Sequence, residues 1–162
     1  MVVMVMRRTA VSACLIALCL IGSAAAQNNK NTKFDAAAIE REIKAFYDSY
    51  SEDLLKQRGA AIAERYDPRG AYAMGNGRKS YQSAADLKKK YLAFTAPKHF
   101  AWKDLSIDVI SADTVAVLGL FEWQTTGQIN TYSYTGLLIK RDGKWLIRVE
   151  DESRGVNPPP VQ

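Results

Sequence analysis

Residues 142–153 read Asp-Gly-Lys-Trp-Leu-Ile-Arg-Val-Glu-Asp-Glu-Ser, and this stretch decides the fold class. Asp-Gly is a pair that two-residue hairpin turns favour, because both central positions of such a turn have a positive φ. The residues that follow, 144–151, are rich in aromatic and β-branched side chains, as is typical of a strand. The stretch therefore predicts a hairpin whose second strand closes the domain.

Three more strand-like runs precede this closing strand. Residues 99–110, 114–125 and 131–140 contain mainly strand-forming side chains, and short turns such as residues 111–113 separate them. Consecutive strands that are joined by short turns run antiparallel. The second half of the chain therefore predicts an antiparallel meander.

The first half of the chain begins with the periodicity of a long helix. Between Asp35 and Gly59, apolar side chains recur every three or four residues and line one face. These side chains are Ile39, Ile43, Phe46, Tyr47, Tyr50 and Leu54. We expect this face to pack against the sheet.

Shorter elements connect the long helix to the meander. Residues 60–66 predict a second helix, and residues 71–74 predict a brief strand before a glycine-rich turn. Ser83 and Asp86 have the spacing of a capping box and open a third helix, which cannot extend past Pro97. Helices followed by consecutive strands form the α+β pattern, in which the helices cover one face of the sheet.

This order of elements, together with the closing run 142–153, resembles the nuclear transport factor 2-like superfamily, to which SnoaL-like proteins and ketosteroid isomerase belong. The segments 66–68 and 111–117 are also similar to that group. The resemblance covers residues 34–153. It implies a cone, in which a curved antiparallel sheet wraps around three N-terminal helices and leaves an apolar pocket at its open end.

Asp151 is the first candidate for chemistry. Because side chains alternate along a strand, we expect Trp145, Ile147, Val149 and Asp151 on one face. A carboxyl beside apolar side chains has a raised pKa and can act as a general acid or base. Alternatively, the strand frays at this point and Asp151 meets water. In the resembling family this position is often a histidine, and many relatives carry an acid where this chain has Arg69.

His99 is the second catalytic candidate. It is the only histidine in the chain, and its ordinary pKa near neutrality would suit a proton shuttle or a hydrogen-bond donor to a ligand. Alternatively, its ring packs at a strand edge beside Phe100. Since no spacing of the His-x-x-x-His kind occurs, we expect neither a metal site nor another cofactor.

Large aromatic side chains predict a pocket for a small apolar or aromatic molecule. Most of these rings must belong to the ordinary core. The residues that we expect to reach the ligand are Tyr47, Tyr50, Tyr66, Tyr72, Trp102 and Trp123. Of these, Tyr47 and Trp123 are expected to meet Asp151 in the cavity.

Residues 1–26 have the pattern of a cleavable signal peptide, with an arginine pair, a short apolar run and small residues ending at Ala26. Cleavage after Ala26 predicts a periplasmic or secreted protein that is not attached to a membrane. The alternative is that the apolar run is retained as an anchor. We expect residues 27–33 and 154–162 to be flexible.

Composition excludes two further classes of function. The 162-residue chain has a formal net charge of +5, but its basic residues are scattered apart from Lys88-Lys89-Lys90, which fits a solvated helix face. We therefore expect no nucleic-acid partner. Cys14 and Cys19 both lie in the signal peptide, so the exported domain would have neither disulfides nor thiol chemistry.

The strand at residues 114–125 predicts a partner protein. It is apolar on both faces, and a sheet that is apolar on both faces needs two covers. The helices provide one cover, and a second copy of the chain would provide the other, which predicts a homodimer through the sheet face. Alternatively, neighbouring loops shield this strand.

Together these features predict an exported domain that binds a small molecule in an apolar pocket. The sequence leaves catalysis open. Isomerase- or dehydratase-like chemistry would use Asp151 to remove a proton and a tyrosine hydroxyl or His99 to stabilise the resulting oxyanion. The rival hypothesis is a non-catalytic dimerisation or protein-interaction module whose own side chains fill the cavity.

Overall fold

The computed structural model describes residues 34–75 and 78–154, and it contains three helices and six strands within those ranges. The helices are α1 (Ala36–Leu55), α2 (Gly59–Ala63) and α3 (Ala84–Leu92). The strands are β1 (Ala71–Gly75), β2 (Arg78–Gln82), β3 (His99–Ser111), β4 (Thr114–Gln124), β5 (Asn130–Arg141) and β6 (Lys144–Arg154). The predicted signal peptide, residues 1–26, lies outside the described residues, and so do residues 27–33 and 155–162 of the segments expected to be flexible. Arg154, the first residue of the predicted tail, is the last residue of β6.

Local signals start the helices where the sequence predicted. Asp35 caps α1 by accepting a hydrogen bond from the Ala38 backbone N–H at 3.0 Å. Ser83 and Asp86 form the expected capping box at the start of α3. Since each cap satisfies backbone donors that the first helical turn leaves free, these residues fix where the helices begin.

The six strands form one curved, unclosed sheet in the order β2-β1-β6-β5-β4-β3. All neighbouring pairs are antiparallel except β1 and β6, which run parallel. The hairpin between β5 and β6 turns at Asp142 and Gly143, whose φ angles are 50° and 76°. This confirms the α+β class and the predicted hairpin. Strand β2 was not predicted.

The concave face of the sheet carries the core. Side chains that face each other across paired strands lie on the same side, and one such row joins Val117 of β4 to Ile107 of β3 and Gly136 of β5. Helix α1 buries its apolar face here, with Ile43 and Tyr47 completely inaccessible to solvent. Among the described residues, no helix is long and apolar enough to cross a membrane.

Candidate functional site

A β-bulge in the last strand determines which side chains face the core. Leu138 of β5 lies opposite Ile147, but the next residue, Leu137, lies opposite Val149, so that Arg148 is the extra residue. The bulge is anchored on its outer side. The Arg148 guanidinium donates a hydrogen bond to the Gly70 carbonyl and lies 5.5 Å from the centre of the Tyr72 ring.

Beyond the bulge, the alternation of side chains is reversed. Glu150 lies opposite Gly136 and Glu152 lies opposite Tyr134, and both partners belong to the buried row of β5. Because paired residues point to the same side, both glutamates face the concave side of the sheet. The closing strand therefore presents two carboxyls to the core.

The expected orientation of Asp151 is wrong for the same reason. Asp151 lies opposite the exposed Thr135 and beside Met74 of β1, on the outer face. Its carboxylate accepts a hydrogen bond from the Ser153 hydroxyl at 3.4 Å. Simple alternation from Trp145 and Ile147 placed it inside, but the extra residue Arg148 shifts every later side chain to the opposite face.

Glu150 is buried at the end of a chain of hydrogen bonds. Glu150 is 3% exposed, and its Oε2 accepts a hydrogen bond from the Tyr66 hydroxyl at 2.8 Å. The Tyr66 and Tyr91 hydroxyls are also hydrogen-bonded, and Lys90 Nζ donates to the Tyr91 hydroxyl at 3.5 Å. Since the Tyr66 proton points to Glu150, Tyr91 donates to Tyr66, and the chain runs from Lys90 to the buried carboxylate.

Burial and mutual repulsion both favour a proton on the two glutamates. Burial raises the pKa of Glu150, while Lys90 and the hydrogen bond from Tyr66 oppose that increase. Desolvation, followed by the charge of Glu150, raises the pKa of Glu152 to about 7, although the residue as a whole is exposed. Since two carboxylates on one face of a strand repel each other, the pair can hold one proton near neutral pH.

A cavity of about 200 Å³ lies between the concave face and the helices, next to Glu152. Besides that carboxyl, the walls are mainly aromatic. They consist of Tyr50 and Leu54 from α1, Lys90, Tyr91 and Phe94 from α3 and the following turn, and Phe100, Trp102, Phe121 and Trp123 from the sheet. The cavity thus combines ring surfaces with one carboxyl, one ammonium and tyrosine hydroxyls.

Behind this cavity, rings fill the interior. The Tyr47 and Tyr134 hydroxyls are hydrogen-bonded at 2.9 Å, and the Tyr47 ring meets the Trp102 ring edge to face with their centres 5.3 Å apart. Burial raises the pKa values of both tyrosines, so they remain neutral donors. The Trp102 indole Nε1 is buried and has no hydrogen-bond partner among the described residues.

The structure brings only some of the predicted site residues together. Tyr50, Trp102 and Trp123 line the cavity, while Tyr66 lies behind its wall in the hydrogen-bond chain to Glu150. Tyr47 is part of the packed interior. The roles of these five residues in ligand binding stay predictions.

Two predicted site residues lie elsewhere. His99 lies on the outer face of the edge strand β3, where its Nε2 is 3.0 Å from Glu122. Tyr72 lies opposite Val149, with 39% of its surface exposed. Phe100 is the buried neighbour of His99, so alternation places His99 on the other face. Neither residue can reach a ligand in the cavity.

The sequence prediction missed the residues that define the site chemically, namely Glu150, Glu152, Lys90 and Tyr91. Tyr91 follows the buried Leu87 by one helical turn, and this spacing could have indicated that it faces inward. Nothing in the local pattern of β6 reveals the two glutamates, because the bulge depends on contacts from β1 and the turn before it.

A larger groove of about 520 Å³ lies beside α2 and the β5–β6 turn. Exposed charged residues including Glu64, Lys88 and Lys144 line much of it. Tyr66 also lines this groove, but Glu152 does not, so we place the chemistry in the smaller cavity. In the described part of the chain, no three His, Cys, Asp or Glu side chains are grouped so that they could hold a metal ion.

No family model matches this chain, and no curated protein is similar enough in sequence to count as a relative. Solved structures do match. An NTF2-like protein of unknown function from Pseudomonas putida has a TM-score of 0.65 at 14% identity, covering 76% of this chain and 92% of that chain.

Two other solved structures give the same result. An NTF2-like protein of unknown function from Shewanella oneidensis has a TM-score of 0.58 at 17% identity, covering 70% of this chain and 98% of its own. A ketosteroid isomerase-like protein from Erwinia carotovora atroseptica has a TM-score of 0.54 at 22% identity, covering 72% and 95% respectively. The chain therefore adopts the nuclear transport factor 2-like fold, as the resemblance of its sequence predicted.

Proposed function

We propose that this domain binds a small, partly apolar molecule in the aromatic cavity beside Glu152. The observation that carries the proposal is the combination of an open space of about 200 Å³ with a carboxyl whose pKa is raised to about 7. A polar group that is neither needed for packing nor fully solvated, at the edge of an apolar cavity, is typical of a ligand site.

The same carboxyl supports a proton-transfer reaction of the isomerase type. As a carboxylate, Glu152 would remove a proton from a carbon next to a carbonyl group, and the electron pair of that C–H bond would move onto the carbonyl oxygen. The protonated Glu152 would then return the proton to the far carbon of a C=C bond conjugated with the enolate. The electron pair would move back from the oxygen, so that the carbonyl re-forms and the C=C bond shifts along the chain. A base whose pKa lies near neutral pH suits both steps. The isomerase-like name of one similar structure supports this choice.

Hydrogen–deuterium exchange tests the chemistry without knowledge of the natural substrate. Single-ring ketones are incubated with the protein in D₂O, and NMR measures deuterium entering the carbon next to the carbonyl. We expect faster exchange with the wild-type protein and loss of that acceleration in Glu152→Gln. The matched control is Asp151→Asn, which changes the neighbouring carboxylate on the outer face. Equal losses in both variants would refute the role of Glu152.

A second function, self-association, is favoured by the outer face of the sheet. Leu118 and Leu120 of β4 are 51% and 43% exposed there, and their partners on β5, Thr135 and Ser133, are uncharged. We propose a second copy of the chain as the cover, since an exposed apolar patch can pair with itself about a two-fold axis. Sedimentation should show a dimer in the wild type and a monomer in Leu118→Lys. A monomeric wild type would contradict this proposal.

We also propose that the protein is exported to the periplasm or secreted after cleavage behind Ala26. The signal-peptide pattern of residues 1–26 supports this proposal. Expression of the full chain in a bacterial host, followed by fractionation and intact-mass measurement, tests it. A mature protein that begins at Gln27 is expected, whereas an uncleaved cytoplasmic product would contradict export.

A further inference from the structure

The wall of the cavity contains a buried hydrogen-bond donor without a partner among the described residues. Trp102 lines the cavity from β3, and its indole Nε1 is buried without a partner among the described residues. A buried N–H that lacks an acceptor costs about 1–3 kcal/mol. An acceptor atom on a bound molecule that reaches this N–H from the cavity would remove that cost, so Trp102 would favour ligands that provide one.

The size and the walls of the cavity restrict the rest of the ligand. Engineered apolar cavities of about 150 Å³ hold one benzene molecule, whereas pockets for drug-sized ligands begin at about 300 Å³. The cavity here, at about 200 Å³, lies between these values and fits one substituted ring. Phe100, Trp123 and Tyr91 provide ring faces and edges against which another ring can pack.

We infer that the ligand is a single-ring molecule with an acceptor oxygen, such as a carbonyl, that takes the Trp102 indole N–H. This inference rests on the proposed function and specifies its substrate class. The oxygen would lie on the β3 side of the ring. Glu152, across the cavity on β6, would then face the atoms next to that oxygen.

The competing explanation is that a neighbouring ring satisfies the indole N–H. The Trp102 ring meets those of Tyr47 and Tyr134 edge to face, with centres 5.3 Å away in both cases. A ring face is a weak acceptor, worth less than a carbonyl oxygen. If a ring face did accept the indole N–H, however, an acceptor on the ligand would not increase the affinity.

Two probes of nearly equal shape separate these explanations. Acetophenone and α-methylstyrene differ only in that a C=O group replaces a C=CH₂ group. NMR titrations give the ratio of their dissociation constants in wild type and in Trp102→Phe. We expect the preference for acetophenone to fall about five- to ten-fold in the variant, as the loss of one hydrogen bond predicts. Using the ratio cancels the different hydration of the probes and the lost ring area.

Trp123→Phe is the matched control, because Trp123 lines the same cavity. It should weaken the binding of both probes equally and leave the ratio of their dissociation constants unchanged.

In the wild type, the indole proton of Trp102 should also shift downfield with acetophenone and not with α-methylstyrene, which tests the inference even if Trp102→Phe does not fold. An unchanged ratio together with an unshifted indole proton would overturn the inference while leaving the cavity as a binding site. Failure of both probes to bind the wild type would instead count against the proposed function itself.

Discussion

Glu150 shows how a single buried residue connects stability to pH. Its raised pKa means that the folded chain keeps a proton that the unfolded chain releases above about 4.5. The protonated carboxyl therefore contributes stability that is fully present below this pH and is lost as the pH rises through the folded pKa. At higher pH the buried carboxylate therefore lowers the stability of the fold. Carboxyls at functional sites commonly have such shifted pKa values.

Glu150→Gln is expected to be more stable than the wild type at pH values above about 7, where Glu152 also ionises, and to match it near pH 4.5. Glutamine can still accept the hydrogen bond from Tyr66 but carries no charge to bury. Urea unfolding at a series of pH values measures the difference. Asp151→Asn is the control for the loss of a neighbouring carboxylate on the outer face. A difference in the free energy of unfolding that does not change with pH would contradict a raised pKa for Glu150.

Tyr66→Phe tests the hydrogen-bond chain. The substitution removes the donor to Glu150 and breaks the connection to Tyr91 while keeping the ring. We expect it to lower the free energy of unfolding by about 1–3 kcal/mol, because both groups lose a partner inside the protein. Tyr72→Phe, on the outer face, should change it by less than about 0.5 kcal/mol. Equal effects in denaturant titrations would count against a buried chain.

At the scale of the elements, local signals predicted the fold well. The capping box at Ser83 and the turn at Asp142 act over a few residues, and each appears where the sequence predicted it. Asp35 caps α1 at the start of the predicted periodicity. The bulge at Arg148 could not be predicted in this way. It depends on the distant Gly70 carbonyl and on the pairing of β1 with β6.

This difference explains why the fold was predicted while the expected orientation of Asp151 was wrong. A strand and its bounds follow from composition, but the face of each side chain follows from register. Because Arg148 is an extra residue in β6, the carboxyls that face inward are those of Glu150 and Glu152 and not that of Asp151. The lining residues Tyr50, Trp102 and Trp123 were predictable because large aromatic side chains favour the interior of any curved sheet.

The contact between α2 and α3 holds Tyr91 at the cavity wall and gives a prediction at this scale. A Cβ added at Gly59 would lie 1.9 Å from the Tyr91 carbonyl oxygen, so the two helices could not remain as close as they are. Gly59→Ala should lower the free energy of unfolding by about 1–3 kcal/mol, as overpacking commonly does. Ala60→Ser, at the exposed neighbouring position, should have little effect. Denaturant titration of both variants measures the contrast.

At the scale of the whole described domain, the site is assembled from residues that lie far apart in the chain. Tyr50 comes from α1, Tyr91 from α3, Trp102 from β3 and Glu152 from β6. No motif with fixed spacing could show this arrangement, since it exists only after the sheet curves around the helices. The central claim is therefore that the last strand directs Glu150 and Glu152, and not Asp151, into the space between sheet and helices.

Carbon-13 NMR titration of the side-chain carboxyls tests this claim most directly. Spectra of the uniformly labelled protein are recorded across the pH range, and Glu150→Gln, Glu152→Gln and Asp151→Asn assign the three signals. We expect Glu152 to titrate at about 7 and Glu150 above its ordinary value of 4.5. Two glutamates that both titrate near 4.5 would contradict the account.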